Sequence, residues 1–161
     1  YAAALIPLKR QELAIRAVSK LEKGSLLLIG SGPDKEKLQE LGDKLLPGRF
    51  KILSFRFSQM PRVYPSADLF TFPTIEWESF GIAMVEALAS GLPVVVTDDP
   101  IRREVVGNAG LYVDPKNTDE YADSLKKALE KEWGNAPRAQ AEKFSWDKIA
   151  EEYSKLFKSL Q

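Results

Sequence analysis

Two carboxylates, Glu78 and Glu86, are separated by seven residues, Ser79-Phe80-Gly81-Ile82-Ala83-Met84-Val85. Gly81, Ile82 and Ala83 read as the first turn of a helix. Its amide hydrogens lack intrahelical partners, and its dipole adds positive potential at that end. A diphosphate is the natural occupant of such a position. Glu86 falls about one turn deeper, roughly 6 Å along the axis from Ile82. Every other residue from Ile82 to Ala89 is apolar, so the helix is expected to be buried on all sides around a lone carboxylate that needs partners. Ribose hydroxyls beside the diphosphate would supply them, and Glu78 would accept hydrogen bonds from sugar hydroxyls across the same phosphates. The same residues admit a plainer reading, in which Glu86 pairs with Lys9 and Glu78 caps the helix.

Other signals are set aside on their spacing. Gly30-Ser31-Gly32 is followed by Lys35 where a dinucleotide fingerprint needs its third glycine, so it reads as a tight strand-to-helix turn. Asp98 and Asp99 are adjacent rather than alternate, and read as turn residues instead of metal ligands. A glycosidase acid/base pair at Glu78 and Glu86 would need a surrounding sugar cleft, and no barrel pattern is present. Trp133 and Trp146 read as packing residues.

The elements that must position these groups alternate along the chain. Short β-like runs lie at Ala2–Ile6, Ser25–Ile29, Phe50–Leu53, Leu69–Phe72, Val94–Thr97 and Gly110–Val113. Most are continuously apolar, as in strands covered on both faces. Helical patterns fill the intervals at Arg10–Lys23, Asp34–Leu46 with Asp34 as N-cap, Ile82–Ser90, Thr118–Lys131 and Trp146–Leu160. This order predicts an α/β fold, a doubly wound, mainly parallel, six-stranded Rossmann-like sheet with helices on both faces, in one domain over residues 1–161. In such sheets ligands bind beyond the carboxyl ends of the strands. That rule selects the loops Gly30–Pro33, Ser54–Ser58, Pro73–Phe80 and Asp98–Pro100.

Composition narrows the chemistry. The chain has no Cys and no His, which removes thiolate nucleophiles, zinc-thiolate sites and the commonest general base. Catalysis here falls to carboxylates, cations and backbone amides, with no metal and no cofactor expected. Lys plus Arg equals Asp plus Glu at 23 each, which gives no electrostatic footprint for nucleic acid. No apolar run reaches the roughly 20 residues of a membrane span and no signal-peptide pattern opens the chain, so a cytoplasmic location is expected.

Pro73–Asp99, with Glu-Ser-Phe-Gly followed by Glu-Ala-Leu-Ala-Ser-Gly-Leu-Pro-Val-Val, resembles the large retaining glycosyltransferase family of the GT-B fold. That family includes mannosyl- and glucosyltransferases and sucrose synthases. Leu28-Ile29-Gly30-Ser31-Gly32-Pro33, Tyr64-Pro65-Ser66-Ala67-Asp68 and Phe144-Ser145-Trp146 extend the likeness over nearly the whole chain, against that family's C-terminal domain only. The resemblance implies a nucleoside diphosphate sugar as donor and hexosyl transfer with retention. An N-terminal acceptor-binding domain would be the partner, and this chain alone would be inactive. It places ribose binding on Glu86 and sugar or charge stabilisation on Glu78. Diphosphate binding falls on the amides of Phe80, Gly81 and Ile82 and on the cation Lys9, with Gly30 and Gly32 in the glycine loop. The base would lie near Ser54, Phe55 and Arg56, where the family usually has Gly in place of Ser54. The family's arginine falls on Ala4, a departure for which Arg10 is the nearest replacement. That departure, with the absent N-terminal half, motivates one alternative, a non-catalytic nucleotide-sugar-binding module; a ligand-free interaction domain of the same fold is a third reading, against which Glu78, Glu86 and Lys9 argue. The amphipathic segment Trp146–Leu160 is expected to fold back on its own sheet or dock on a second copy.

Overall fold

The computed structural model describes residues 1–75 and 78–160. Glu76 and Trp77, in the centre of the Pro73–Phe80 loop, lie outside the described residues. The chain begins with a 3-10 turn at Pro7–Lys9, then α1 (Gln11–Ser19), β1 (Leu26–Ile29), α2 (Lys35–Leu45), β2 (Phe50–Leu53) and α3 (Met60–Val63). It continues with β3 (Phe70–Phe72), α4 (Ile82–Ala89), β4 (Val94–Thr97), α5 (Pro100–Val106) and β5 (Gly110–Val113). Three helices close the sequence, α6 (Thr118–Glu130), α7 (Ala136–Ala141) and α8 (Trp146–Ser159).

All strand pairs are parallel. β1 pairs with β2, in register Leu26 with Phe50, and β4 lies between β3 and β5, with Val94 opposite both Phe70 and Gly110. The N-terminal segment joins the two groups. Ala2 bridges Ile29 in parallel, and the Tyr1 ring meets Phe70 and Phe72 of β3 edge-on at 6.4 and 5.5 Å between centroids. Every strand therefore ends on the same edge, and the described residues of the four loops selected from the sequence follow the strand ends there. α1 packs against α2 and α6, whereas α4 packs against α7 and α5, giving helices on both faces.

Five strands are present among the described residues, not six. The expected strand Ala2–Ile6 is reduced to the bridge at Ala2. Past Ala3 the backbone turns to the glycine loop: Leu5 N–H donates to the Ser31 carbonyl at 2.8 Å and its own carbonyl accepts from Asp34 N–H at 3.1 Å. Pro7 then opens the turn that carries Lys9. β3 and β4 are buried throughout, as expected of strands covered on both faces, but β2 alternates, with Lys51 and Leu53 exposed.

Three helices, α3, α5 and α7, were not anticipated from apolar periodicity, being only four, seven and six residues long. Asp34 occupies the N-cap position of α2 but its side chain makes no capping bond. Asp99 is more than a turn residue, since its carboxylate accepts the Arg102 N–H at the start of α5. Trp133 does pack against the core, and its indole N–H donates to the Ala128 carbonyl at 2.8 Å. Trp146 does not; it is 87% exposed. The rest of α8 follows it. None of its residues is buried, and Tyr153, Leu156 and Phe157 face outward, so the helix does not fold back on the sheet. Among the described residues no helix is long and apolar enough to cross a membrane.

Candidate functional site

Gly81 sets the geometry of the site. It is the N-cap of α4 and takes a left-handed backbone, φ 73° and ψ 61°, a region open to glycine at little cost. A Cβ there would also stand 2.7 Å from the end of Met84 and 3.1 Å from the Phe72 ring. The turn lets α4 start directly behind β3, so its free amide hydrogens open onto the loop edge. Ile82, the first helical residue, is exposed, as is Ala89, which corrects the expectation of a helix buried on all sides. Met84, Ala87 and Leu88 form the buried face. Phe80 is held beside the turn by an edge-on contact with Phe144 at 5.5 Å.

Lys9 and Glu78 meet in front of this turn as a direct ion pair, each side chain about one-fifth exposed. The pair is positioned from both sides. Lys9 ends the Pro7–Lys9 turn, and the Leu8 carbonyl accepts the Ile75 N–H at 3.3 Å, tying that turn to the loop after β3. Glu86 makes a different contact: its Oε2 accepts a hydrogen bond from the Tyr64 hydroxyl at 2.7 Å. Burial, and then the hydrogen bond and charge of Glu86, push the Tyr64 phenol above its usual range, so it remains a donor. The plainer reading of the sequence thus fails in both halves. Lys9 pairs with Glu78 and not Glu86, and α4 has no side-chain cap.

The neighbouring loops complete the edge. Gly30 N–H donates to the Leu53 carbonyl at 2.9 Å, which fastens the glycine loop to the end of β2 and so to Ser54, Phe55 and Arg56. Ser54 and Arg56 are exposed and Phe55 partly buried, and Arg56 N–H is held by Gln59 Oε1 at 2.8 Å. Gly30 and Gly32 serve the backbone. A Cβ on Gly30 would stand 1.9 Å from the Ala3 carbonyl oxygen and one on Gly32 2.3 Å from that of Leu5. Ala4 is exposed and contributes no cation, while its carbonyl accepts from the buried Gln11 amide at 2.7 Å. Arg10, next to Lys9, is the one non-glycine residue at positive φ among the described residues, at 50°.

Sequence reasoning missed Arg102. Its guanidinium is fully buried, pairs with the buried Asp99, and reaches Thr74 Oγ1 and the Ile75 carbonyl, the last at 3.0 Å. Thr97 Oγ1 also donates to the Thr74 carbonyl at 2.7 Å. Together they pin the root of the loop that carries Glu78. The Asp-Pro step at Asp99-Pro100, an N-cap followed by proline at the first helical position, was the available signal. Among the described residues no three His, Cys, Asp or Glu side chains gather as a metal site would require.

The model for glycosyl transferases group 1 matches residues 1–145. Among curated proteins, the chain is 33% identical over 162 residues to an uncharacterized glycosyltransferase of Methanocaldococcus jannaschii, covering 91% of this chain and 41% of that protein. It is 35% identical over 154 residues to the D-inositol 3-phosphate glycosyltransferase of Mycolicibacterium smegmatis, covering 87% of this chain and 35% of that protein. In fold it resembles the crystal structure of Anabaena HepE in complex with UDP, with a TM-score of 0.87, 24% identity, and coverage of 98% of this chain and 47% of that one. The chain belongs to the group 1 glycosyl transferases, and its fold is one Rossmann-like half of the GT-B architecture. It spans less than half the length of these relatives.

Proposed function

We propose that this domain binds a nucleoside diphosphate sugar and stabilises the departing diphosphate while a hexosyl group passes, with retention, to an acceptor. The observation that carries the reading is the convergence of Lys9, Glu78 and the Gly81-capped start of α4 at one edge of the sheet, with Glu86 one turn deeper. The amides of Phe80, Gly81 and Ile82 and the Lys9 ammonium would face the diphosphate, where negative charge grows as the bond to the anomeric carbon breaks. The bonding pair leaves with the diphosphate, and the acceptor hydroxyl oxygen forms the new bond to that carbon as its proton passes to an oxygen of the departing diphosphate. Glu78, released from Lys9, would accept from sugar hydroxyls. Glu86 would accept from ribose, and Ser54, Phe55 and Arg56 would border the base. Positive charge from Lys9 and the helix terminus takes the place that a divalent metal holds in other phosphate sites, so no metal is required. The acceptor and the groups that orient it would come from a second domain, and this chain alone would transfer no sugar.

Titration with UDP, GDP and ADP, and with their sugars, in the presence and absence of a chelator tests the reading. UDP is the first to try, since the Anabaena structure of the same fold holds it. Saturable binding that survives the chelator is expected; no binding at millimolar nucleotide would sink the proposal. Ala4, which leaves the diphosphate one cation short, favours a second reading as a non-catalytic nucleotide-sugar module. Acceptor-dependent turnover by the whole protein would exclude it.

A further inference from the structure

We infer that Tyr64 is a positioning residue for donor recognition: it holds one oxygen of Glu86 so that the other stays free to accept from a ribose hydroxyl, and it thereby sets a preference for ribonucleotides over their deoxy counterparts. The inference rests on the proposed nucleotide-binding role of this edge.

The geometry separates the two oxygens of Glu86. Oε2 accepts from the Tyr64 hydroxyl at 2.7 Å, and Oε1 accepts no hydrogen bond among the described residues. The one buried side-chain polar atom without a partner, among those residues, is Nε of Arg102. On a partly exposed residue, Oε1 is thus left without a partner among the described residues and is available to a ligand. A carboxylate tethered through one oxygen presents the other in a fixed direction, which suits a hydroxyl donor on a rigid ring.

Tyr64, and not Glu86, is the fixed member of the pair. Its side chain is 5% exposed and lies edge-on to Phe70 of β3, with centroids 6.0 Å apart. Its backbone opens a 3-10 turn whose next residue is Pro65, and the turn is closed by Ala67 N–H on the Tyr64 carbonyl at 3.1 Å and Ser66 Oγ on the Val63 carbonyl at 2.7 Å. Glu86, by contrast, projects from the partly exposed side of α4. Without the phenol its carboxylate would be free to change rotamer and to turn both oxygens to water. Burial and the contact with Glu86 raise the phenol above its usual range, so the Tyr64 hydroxyl keeps the proton it donates.

The test uses the full chain and whichever of UDP, GDP and ADP it binds most tightly, with the 2′-deoxy and 3′-deoxy forms of the same nucleotide. Calorimetric titration of the unaltered chain should favour the ribonucleotide over at least one deoxy form. Tyr64→Phe, which keeps the ring on Phe70, should reduce that preference by about tenfold, the scale of one charge-assisted hydrogen bond. In a Glu86→Gln background the same change should add nothing further, because the group it orients is gone. An unchanged ribo-to-deoxy ratio in Tyr64→Phe overturns the inference and leaves the nucleotide site standing. So does an equal loss for all three nucleotides, which marks a role in folding alone. Failure of the unaltered chain to bind any of them overturns both the inference and the function it rests on.

Discussion

Lys9 and Glu78, 69 positions apart in the chain, neutralise each other at the mouth of the site. On the proposed function, a diphosphate would have to draw Lys9 away before it could use the charge. Glu78→Gln should therefore tighten binding of the sugar-free nucleoside diphosphate by about threefold, the scale of a partly exposed ion pair of up to ~1 kcal/mol. The gain should shrink at high salt. For the nucleotide sugar the gain should be absent or reversed, since Glu78 is the group expected to hold the sugar. Paired titrations of the two ligands check this, and weaker binding of the sugar-free form would refute it.

Arg102 and Asp99 form the buried pair behind the loop that carries Glu78. Arg102→Met alone leaves a buried carboxylate uncompensated and should cost about 3–5 kcal/mol in unfolding free energy. Changing both partners, Asp99→Leu with Arg102→Met, should cost clearly less, because no charge is stranded. Urea unfolding of the two variants gives the comparison.

Arg10 is held at φ 50° and ψ 40°, between the Lys9 turn and α1. A side chain in that region costs roughly 1–2 kcal/mol, and glycine returns part of the relief through unfolded-chain entropy, about 0.4–1 kcal/mol. Arg10→Gly should stabilise the chain by about 0.5–1 kcal/mol, whereas Arg10→Ala should not. Thermal melts of both variants decide it.

Burial pushes the Tyr121 phenol above its ordinary value of 10.0, although its bond with Thr71 works the other way. The folded chain thus keeps this proton when the unfolded chain loses it. Stability from Tyr121 is full below pH 10.0 and declines as pH rises above it, by up to about 1.4 kcal/mol per pH unit. Tyr64, raised by burial and by Glu86, adds to the same decline. Tyr121→Phe should flatten the alkaline limb of the stability curve; an unchanged slope would remove Tyr121 from the account.

α8 buries none of its residues, while Phe144 just before it packs on Phe80. A chain ending at Ser145 should therefore unfold within ~0.5 kcal/mol of the full chain, as for surface changes that touch nothing. It should also scatter less light and bind less hydrophobic dye, since Trp146, Tyr153, Phe157 and Leu160 are gone. A substantial loss of stability would place α8 against the body of the domain.

The parts of the fold legible in the sequence are those where one signal governs. Val94–Val96 is continuously apolar and, with Thr97, is buried throughout, and the glycine before Ile82 marked the start of α4. Leu5 and Ile6 have the composition of a strand, yet the glycine loop competes for the Leu5 backbone and wins, so the strand stops at Ala2. The seven residues of α5 are too few for apolar periodicity to show, and only the Asp99-Pro100 step marked its start. The partners of the two glutamates were beyond reach. Tyr64 is 22 positions from Glu86 and Lys9 is 69 from Glu78, and a side chain's choice of partner at such separations depends on register and turn geometry, not on local pattern.

The glycine loop has a consequence for mutational scanning. Gly30 and Gly32 lie against the Ala3 and Leu5 carbonyls with no room for a methyl group. A scan scored by nucleotide binding would mark both positions as intolerant, as strongly as the residues proposed to contact the ligand. The intolerance would belong to the fit of two backbone segments. Gly30→Ala would be expected to lose binding and cooperative unfolding together, whereas Glu86→Gln would be expected to lose the first and keep the second. Scoring each variant for both properties separates residues that hold the ligand from residues that hold the wall behind it.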